Sequence, residues 1–196
     1  MLNQNRWFML CKMVGIEDAK IPVAYAEISL NYSEPDRYYH TLDHHIRSIL
    51  TEFDDVRHLA LNHAAVEMAI WFHDVKKTEV ESAIFAGQMM RSFGLNDSFQ
   101  SYVARLVFAT KHDRKLFDQD EQLIADLDLS GFGKSLEEFC ADGEMIRKEY
   151  KNPDDFQEKR KRILFSFFHK KGFVYHTKYF KDRYEENAKA NLKSLV

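Results

Sequence analysis

The sequence predicts an all-α chain, a single helical domain over residues 1–196, and three observations carry that expectation. Apolar residues recur at three- and four-residue spacing along most of the chain. Gly (7) and Pro (3) are scarce, so the tight turns that join short strands are largely missing. Helix start and stop signals punctuate the remainder, from Pro22 through the Ser135–Glu138 capping box to Gly172.

A chain of 196 residues fits one domain and buries roughly 70% of its unfolded surface. Hydrophobic residues make up 45% and charged residues 30%, ordinary values for a water-soluble globular protein. A net charge of −3 gives no general attraction to nucleic acid or to an anionic membrane. Cys11 and Cys140 form no paired motif and read as reduced thiols. Lys12 interrupts the apolar run Arg6–Cys11, no cleavage signal follows it, and no stretch approaches the ~20 apolar residues of a membrane span. The expectation is a cytoplasmic protein without a membrane or nucleic-acid partner.

In chain order, residues 6–14 and 22–31 predict two short helices, with Pro22 in a first turn and Asn31 as a stop. Ser33, Pro35 and Asp36 mark a turn into a helix of about 36–53. On that helix His40 and His44 are four apart and share a face, while His45 and Arg47 read as its solvated side. A helix of about 58–74 ends in His73-Asp74, an apolar run closing on a histidine and an acid. The negative helix end disfavours Asp74 there, and a bound cation would remove that objection. Glu79 opens a helix to Ser92, and a loop at 94–98 leads to a helix of 99–112 with His112 on its apolar stripe. Asp126 and Asp128 interrupt the apolar run 122–131, and a buried unpaired acid is costly, so Asp128 is expected to have a partner. Gly131 and Gly133 read as helix caps. Helices of 135–150, 155–169 and 177–195 follow, the second ending in His169-Lys170-Lys171-Gly172. Lys159–Arg162 with Lys170 and Lys171 forms the densest basic patch, either a solvated face or a seat for phosphate. The layout is two N-terminal helices (1–31), a core holding the unusual residues (32–133) and C-terminal helices (134–196).

His40, His73, Asp74 and Asp128, with His44 and His112 beside them, suit a hard or borderline divalent ion bound by imidazole and carboxylate. No cysteine joins them, which argues against a closed structural zinc site.

The order His…His-Asp…Asp on a helical chain resembles the HD-domain metal-dependent phosphohydrolase superfamily. The segments Tyr38–His44, Phe72–Asp74, Ala109–His112, Ala125–Leu129 and Tyr175–Leu192 are similar to a bacterial branch described as predicted HD-superfamily hydrolases. The resemblance runs from about Tyr32 to Leu195. It implies an HD-type helical fold, with His40, His73, Asp74 and Asp128 as metal ligands. His44 and His112 would support a second ion or meet a substrate phosphate, and Glu79 would orient water. After Asp74 the chain departs from that branch. Val75-Lys76-Lys77-Thr78 is short and basic, so Glu79 and Glu81 both remain candidates for the acid.

Three functions follow as expectations. The first is a phosphohydrolase acting on a nucleotide or another small phosphorylated metabolite through Mn, Mg, Zn, Ni, Co or Fe, with Lys76, Lys77 or Arg114 neutralising phosphate. The second is a non-catalytic sensor that binds metal and nucleotide on the same scaffold. The third is an iron oxygenase. Substrate, native metal and oligomeric state, a homodimer included, are left open.

Overall fold

The computed structural model describes residues 2–165 and 172–195, and among them the chain is helix and loop with no strand. The core is organised around α4 (His63–Phe72), whose residues Ala65–Phe72 are buried on every side, as a central helix requires. Trp7 of α1 (Leu2–Met13) meets Trp71 edge-on at 5.4 Å and Phe72 at 5.9 Å. Burial of side chains of this size contributes about 1.5–3 kcal/mol each. Glu67, the one acid on α4's buried face, is met by Arg6 at 2.8 Å and Arg57 at 3.2 Å, so α1 and the turn after α3 (Arg47–Val56) are tied to α4 by charge. α2 (Ile21–Tyr32) begins with Pro22 in its first turn, and Tyr32 donates its hydroxyl to the Trp71 carbonyl near the end of α4.

The helix predicted at about 36–53 is shorter. Residues 33–41 are non-helical, a π-helical turn covers Leu42–Ile46, and α3 follows. A carboxylate from far along the chain and the segment's own Arg37 take backbone groups a helix would have used. Glu149 accepts the N–H groups of Tyr38, Tyr39 and His40 at 2.8–2.9 Å. Arg37 donates to the carbonyls of His40 (3.1 Å), Asp74 (2.7 Å) and Val75 (3.2 Å), tying this segment to the end of α4. The helix predicted from 58 likewise starts at His63. Asp120 takes the N–H groups of Leu61 and Asn62, and Asn62 caps the helix by accepting from Ala65.

α5 (Glu79–Ser92) starts where the sequence places it, capped by Thr78, and packs along α6 (Asp97–Ala109). α7 (Gln119–Asp128) puts its two late acids to different uses, because residues two apart point about 200° away from each other. Asp126 accepts from His176 N, Thr177 N and Thr177 Oγ1 at 2.7 Å each and anchors the start of α10 (Lys178–Lys193). Burial still pushes its carboxyl up to about 6, against those three donors.

Gly131 and Gly133 are not left-handed helix caps. They lie in a 3-10 turn, Ser130–Gly133, against which α10 packs. A Cβ on Gly133 would come within 2.4 Å of the Tyr184 Cβ, so the close approach is what demands glycine. α8 (Leu136–Lys148) carries the predicted capping box, Ser135 with Glu138. α9 runs Pro153–Phe165. The predicted continuation to His169 and the lysines 170 and 171 lie outside the described residues, while Gly172 has φ +72°. On α10, Phe180, Ala188 and Leu192 are buried, as their spacing predicts, with Tyr184 packed beside them. Among the described residues no helix is long and apolar enough to cross a membrane.

Candidate metal centre

Four side chains from three elements converge on one point. His45 comes from the π-helical turn, His73 and Asp74 from the end of α4, and Asp128 from the last position of α7. His45 Nε2 and His73 Nε2 are 3.2 Å apart. Asp74 Oδ2 lies 3.3 Å from each of them, and Asp128 Oδ1 lies 3.5 Å from His45 and 3.4 Å from His73. Donor atoms set about 2.1 Å from a shared ion at tetrahedral angles stand about 3.4 Å apart, so these separations are those of ligands around one cation.

The protonation of the cluster points the same way. His73 Nδ1–H donates to the Ile70 carbonyl at 2.9 Å, which leaves the Nε2 lone pair facing inward. Burial opposes charge on His73, yet Asp74 and Asp128 outweigh it and push its pKa well above the ordinary range. His45 is raised likewise by the same two acids against burial. For both carboxyls burial works upward, and it is outweighed: His73 and His40 do most to hold Asp74 well below the usual range, and His112, His45 and His73 do so for Asp128. The carboxylates thus demand positive charge, but two Nε2–H groups cannot face each other at 3.2 Å. At most one proton fits between the rings. A divalent cation meets both carboxylates and both lone pairs at once, and the donor set of two nitrogens and two oxygens suits zinc, manganese, iron, cobalt or nickel.

His73, Asp74 and Asp128 are therefore brought together as the sequence predicts, but His45 completes the four, not His40. The reason is the π-helical turn. Ile46 N–H reaches back five residues to the Thr41 carbonyl (3.2 Å), widening the turn and rotating His45, expected on the solvated side, into the core. His40 sits at the rim, with Nε2 3.7 Å from Asp74 Oδ2 and Nδ1 2.5 Å from Glu149. His44 turns the other way and bonds Asp142 through Nε2 at 2.8 Å. Tyr39 packs against all three rings, with centroids 4.7–5.2 Å away.

His112 supports the cluster from outside. Its Nε2 bonds Asp128 Oδ2 at 2.8 Å, which turns the other carboxylate oxygen toward the centre. Its backbone is left-handed (φ +56°), a conformation that costs a non-glycine residue about 1–2 kcal/mol and that places the ring against Asp128. Glu79 is half-buried at the start of α5, and no contact ties it to the four; Glu81 is spent on the Thr78 cap. Of the cations expected to meet phosphate, Lys76 bonds Asn31, Lys77 pairs with Glu34 and Asp36, and Arg114 is bidentate to Glu121. Lys159 of the basic patch lies over the Tyr150 ring and feels the charges of Asp74 and Glu79.

Comparison of the chain with protein-family models, with curated proteins and with solved structures gives no match.

Proposed function

We propose that the chain is a metal-dependent phosphohydrolase of the HD type, acting on a nucleotide or another small phosphorylated metabolite. The observation that carries it is the convergence of two imidazole nitrogens and two carboxylate oxygens at 3.2–3.5 Å, with both histidines buried and both carboxylates partly exposed. His45 and His73 would hold the ion through Nε2, Asp74 through Oδ2 and Asp128 through Oδ1. When bound, such an ion lowers the pKa of water and polarises a phosphoryl oxygen. The residues around it divide the remaining work. His73 is fixed by Ile70 and Asp128 by His112, so neither donor has to reorganise. Asp74 and His40 are partly exposed, which leaves the approach to substrate on their side.

Phosphate release from a panel of nucleotides and sugar phosphates, with chelated protein and single added divalent ions, tests this reading. It expects release that requires the ion and is lost in both His73→Ala and Asp74→Ala. Activity that survives both substitutions would overturn it. Metal and nucleotide binding without turnover would point instead to a sensor.

A further inference from the structure

The segment that joins α6 to α7 borders a groove of about 930 Å³, a volume within the range of small-molecule sites. α6 lines it with Ala104, Arg105 and Phe108, and the segment and the first turn of α7 add Arg114, Phe117 and Glu121. None of His45, His73, Asp74 and Asp128 lines it, so the groove is separate from the metal centre.

Two features set this groove apart from a solvated surface. The first is Phe117, which is 77% exposed, more than any other large hydrophobic side chain among the described residues. Its neighbours are anchored. Leu116 is buried and its carbonyl accepts from Gln122 Nε2 at 3.1 Å, while Asp118 caps α7 by accepting from the N–H groups of Asp120 and Glu121. The ring is thus held out in water between two fixed residues. The Lys115 ammonium lies 5.0 Å from its centroid, and Phe108, partly exposed, lines the same groove.

The second feature is a pair of fixed guanidiniums. Glu121, its side chain 5% exposed, accepts from both Nη atoms of Arg114 at 2.8 and 3.2 Å and lies 3.3 Å from Arg105 Nε. Arg105 also donates to Asp118 at 3.0 Å and lies over the Tyr102 ring at 4.8 Å. A guanidinium carries five N–H groups, so both arginines keep donors beyond these bonds, and both are nearly half-exposed. Asp113, the one half-exposed acid lining the groove, is tied to Lys111 at 2.6 Å. What the groove offers to a ligand is therefore phenyl surface and planar cations.

We infer that this groove is a second binding site, specific for a nucleotide, with the base stacked on Phe117 and the phosphate held by Arg105 and Arg114. An aromatic face favours a planar ring, and guanidiniums match the oxygens of a phosphate. Cations already locked by Glu121 lose little freedom when the anion arrives. An uncharged apolar ligand would strip water from both guanidiniums and give nothing back, whereas a bare anion would leave Phe117 in water. The site goes beyond the metal-centre reading and does not depend on it.

Calorimetric titration of chelated Asp74→Ala protein with adenosine monophosphate tests this, because the metal centre is disabled in that protein. The expected result is one equivalent bound, in the chelated wild type and in Asp74→Ala alike. Adenosine, which lacks the phosphate, and ribose phosphate, which lacks the base, should each bind more weakly by about 10-fold or more. Phe117→Ala should weaken the monophosphate about 5–150-fold, the range of one base–aromatic stack, and Phe117→Trp should restore it. Arg114→Met should weaken it about 10–100-fold and leave adenosine unchanged. Removing the exposed Phe117 ring leaves the core intact, so that variant folds and keeps the test decisive. No binding to chelated Asp74→Ala, equal affinity for ribose phosphate or benzoate, or an unchanged affinity in Phe117→Ala would each overturn the assignment. Tighter binding of a single-stranded oligonucleotide than of the monophosphate would overturn it in favour of a nucleic-acid surface. Phosphate release plays no part in the readout, so the hydrolase reading stands or fails separately.

Discussion

The three histidines at 40, 44 and 45 offer a test that separates the structure from the plain helical reading of the sequence. On an α-helix His40 and His44 would share a face, whereas the π-helical turn selects His45. A ligand at 100 times its Kd stabilises the folded state by about 2.7 kcal/mol. Unfolding entropy of about 2.1 cal/mol/K per residue gives about 0.4 kcal/mol/K over 196 residues. A saturating divalent ion should therefore raise the Tm of chelated protein by about 6–7 °C at that concentration. Differential scanning fluorimetry of four proteins, with and without manganese or zinc, reads this directly. The wild type should show the shift and His45→Ala should lose it. His44→Ala should start lower, having abandoned Asp142, yet keep the shift. His40→Ala should keep most of it, since its ring lies outside the converging four. A shift retained by His45→Ala and lost by His40→Ala would show that the turn does not select the ligand as described.

Other consequences follow from the packing. Gly133→Ala places a methyl group on Tyr184 and should destabilise by about 1–3 kcal/mol, read as a lower urea midpoint; an unchanged midpoint would mean α10 does not press on that turn. Arg37→Met removes donors from three backbone carbonyls that join residues 40 and 74–75. It should lower stability by on the order of 3 kcal/mol and weaken metal binding about 10–100-fold by titration calorimetry. Cys11 is buried, with its thiol pushed up to about 12, and Cys140 is exposed. A thiol-reactive dye should therefore find one fast cysteine in native protein and two in urea.

Much of this molecule is legible in its sequence, and the part that is not has a common cause. Helices α2, α5, α8 and α10 start within a residue or two of their expected places because their signals are local: Pro22, Thr78–Glu81, the Ser135 box and the Phe180–Leu192 stripe. His73-Asp74 and Asp128 stand out because apolar runs rarely carry such groups without a partner, and the structure gives all three partners. The choice among His40, His44 and His45 could not be read locally. It depends on Glu149 and Arg37 removing residues 37–40 from the helix and on two i→i+5 hydrogen bonds, Ile46 N–H to Thr41 and Arg47 N–H to Leu42. Spacing arguments assume a regular helix, and they place His45 outward for that reason alone. Gly133 likewise looks like a cap until α10 arrives across 50 residues of chain.

The central claim is that His45, His73, Asp74 and Asp128 hold one divalent ion. Elemental mass spectrometry of untagged wild-type protein and of Asp74→Ala, each soaked with divalent ions and desalted, tests it most directly. The account predicts about one equivalent in the wild type and close to none in Asp74→Ala. Two metal-free proteins, or equal metal in both, would contradict it and return the cluster to a proton-bridged pair of histidines between two acids.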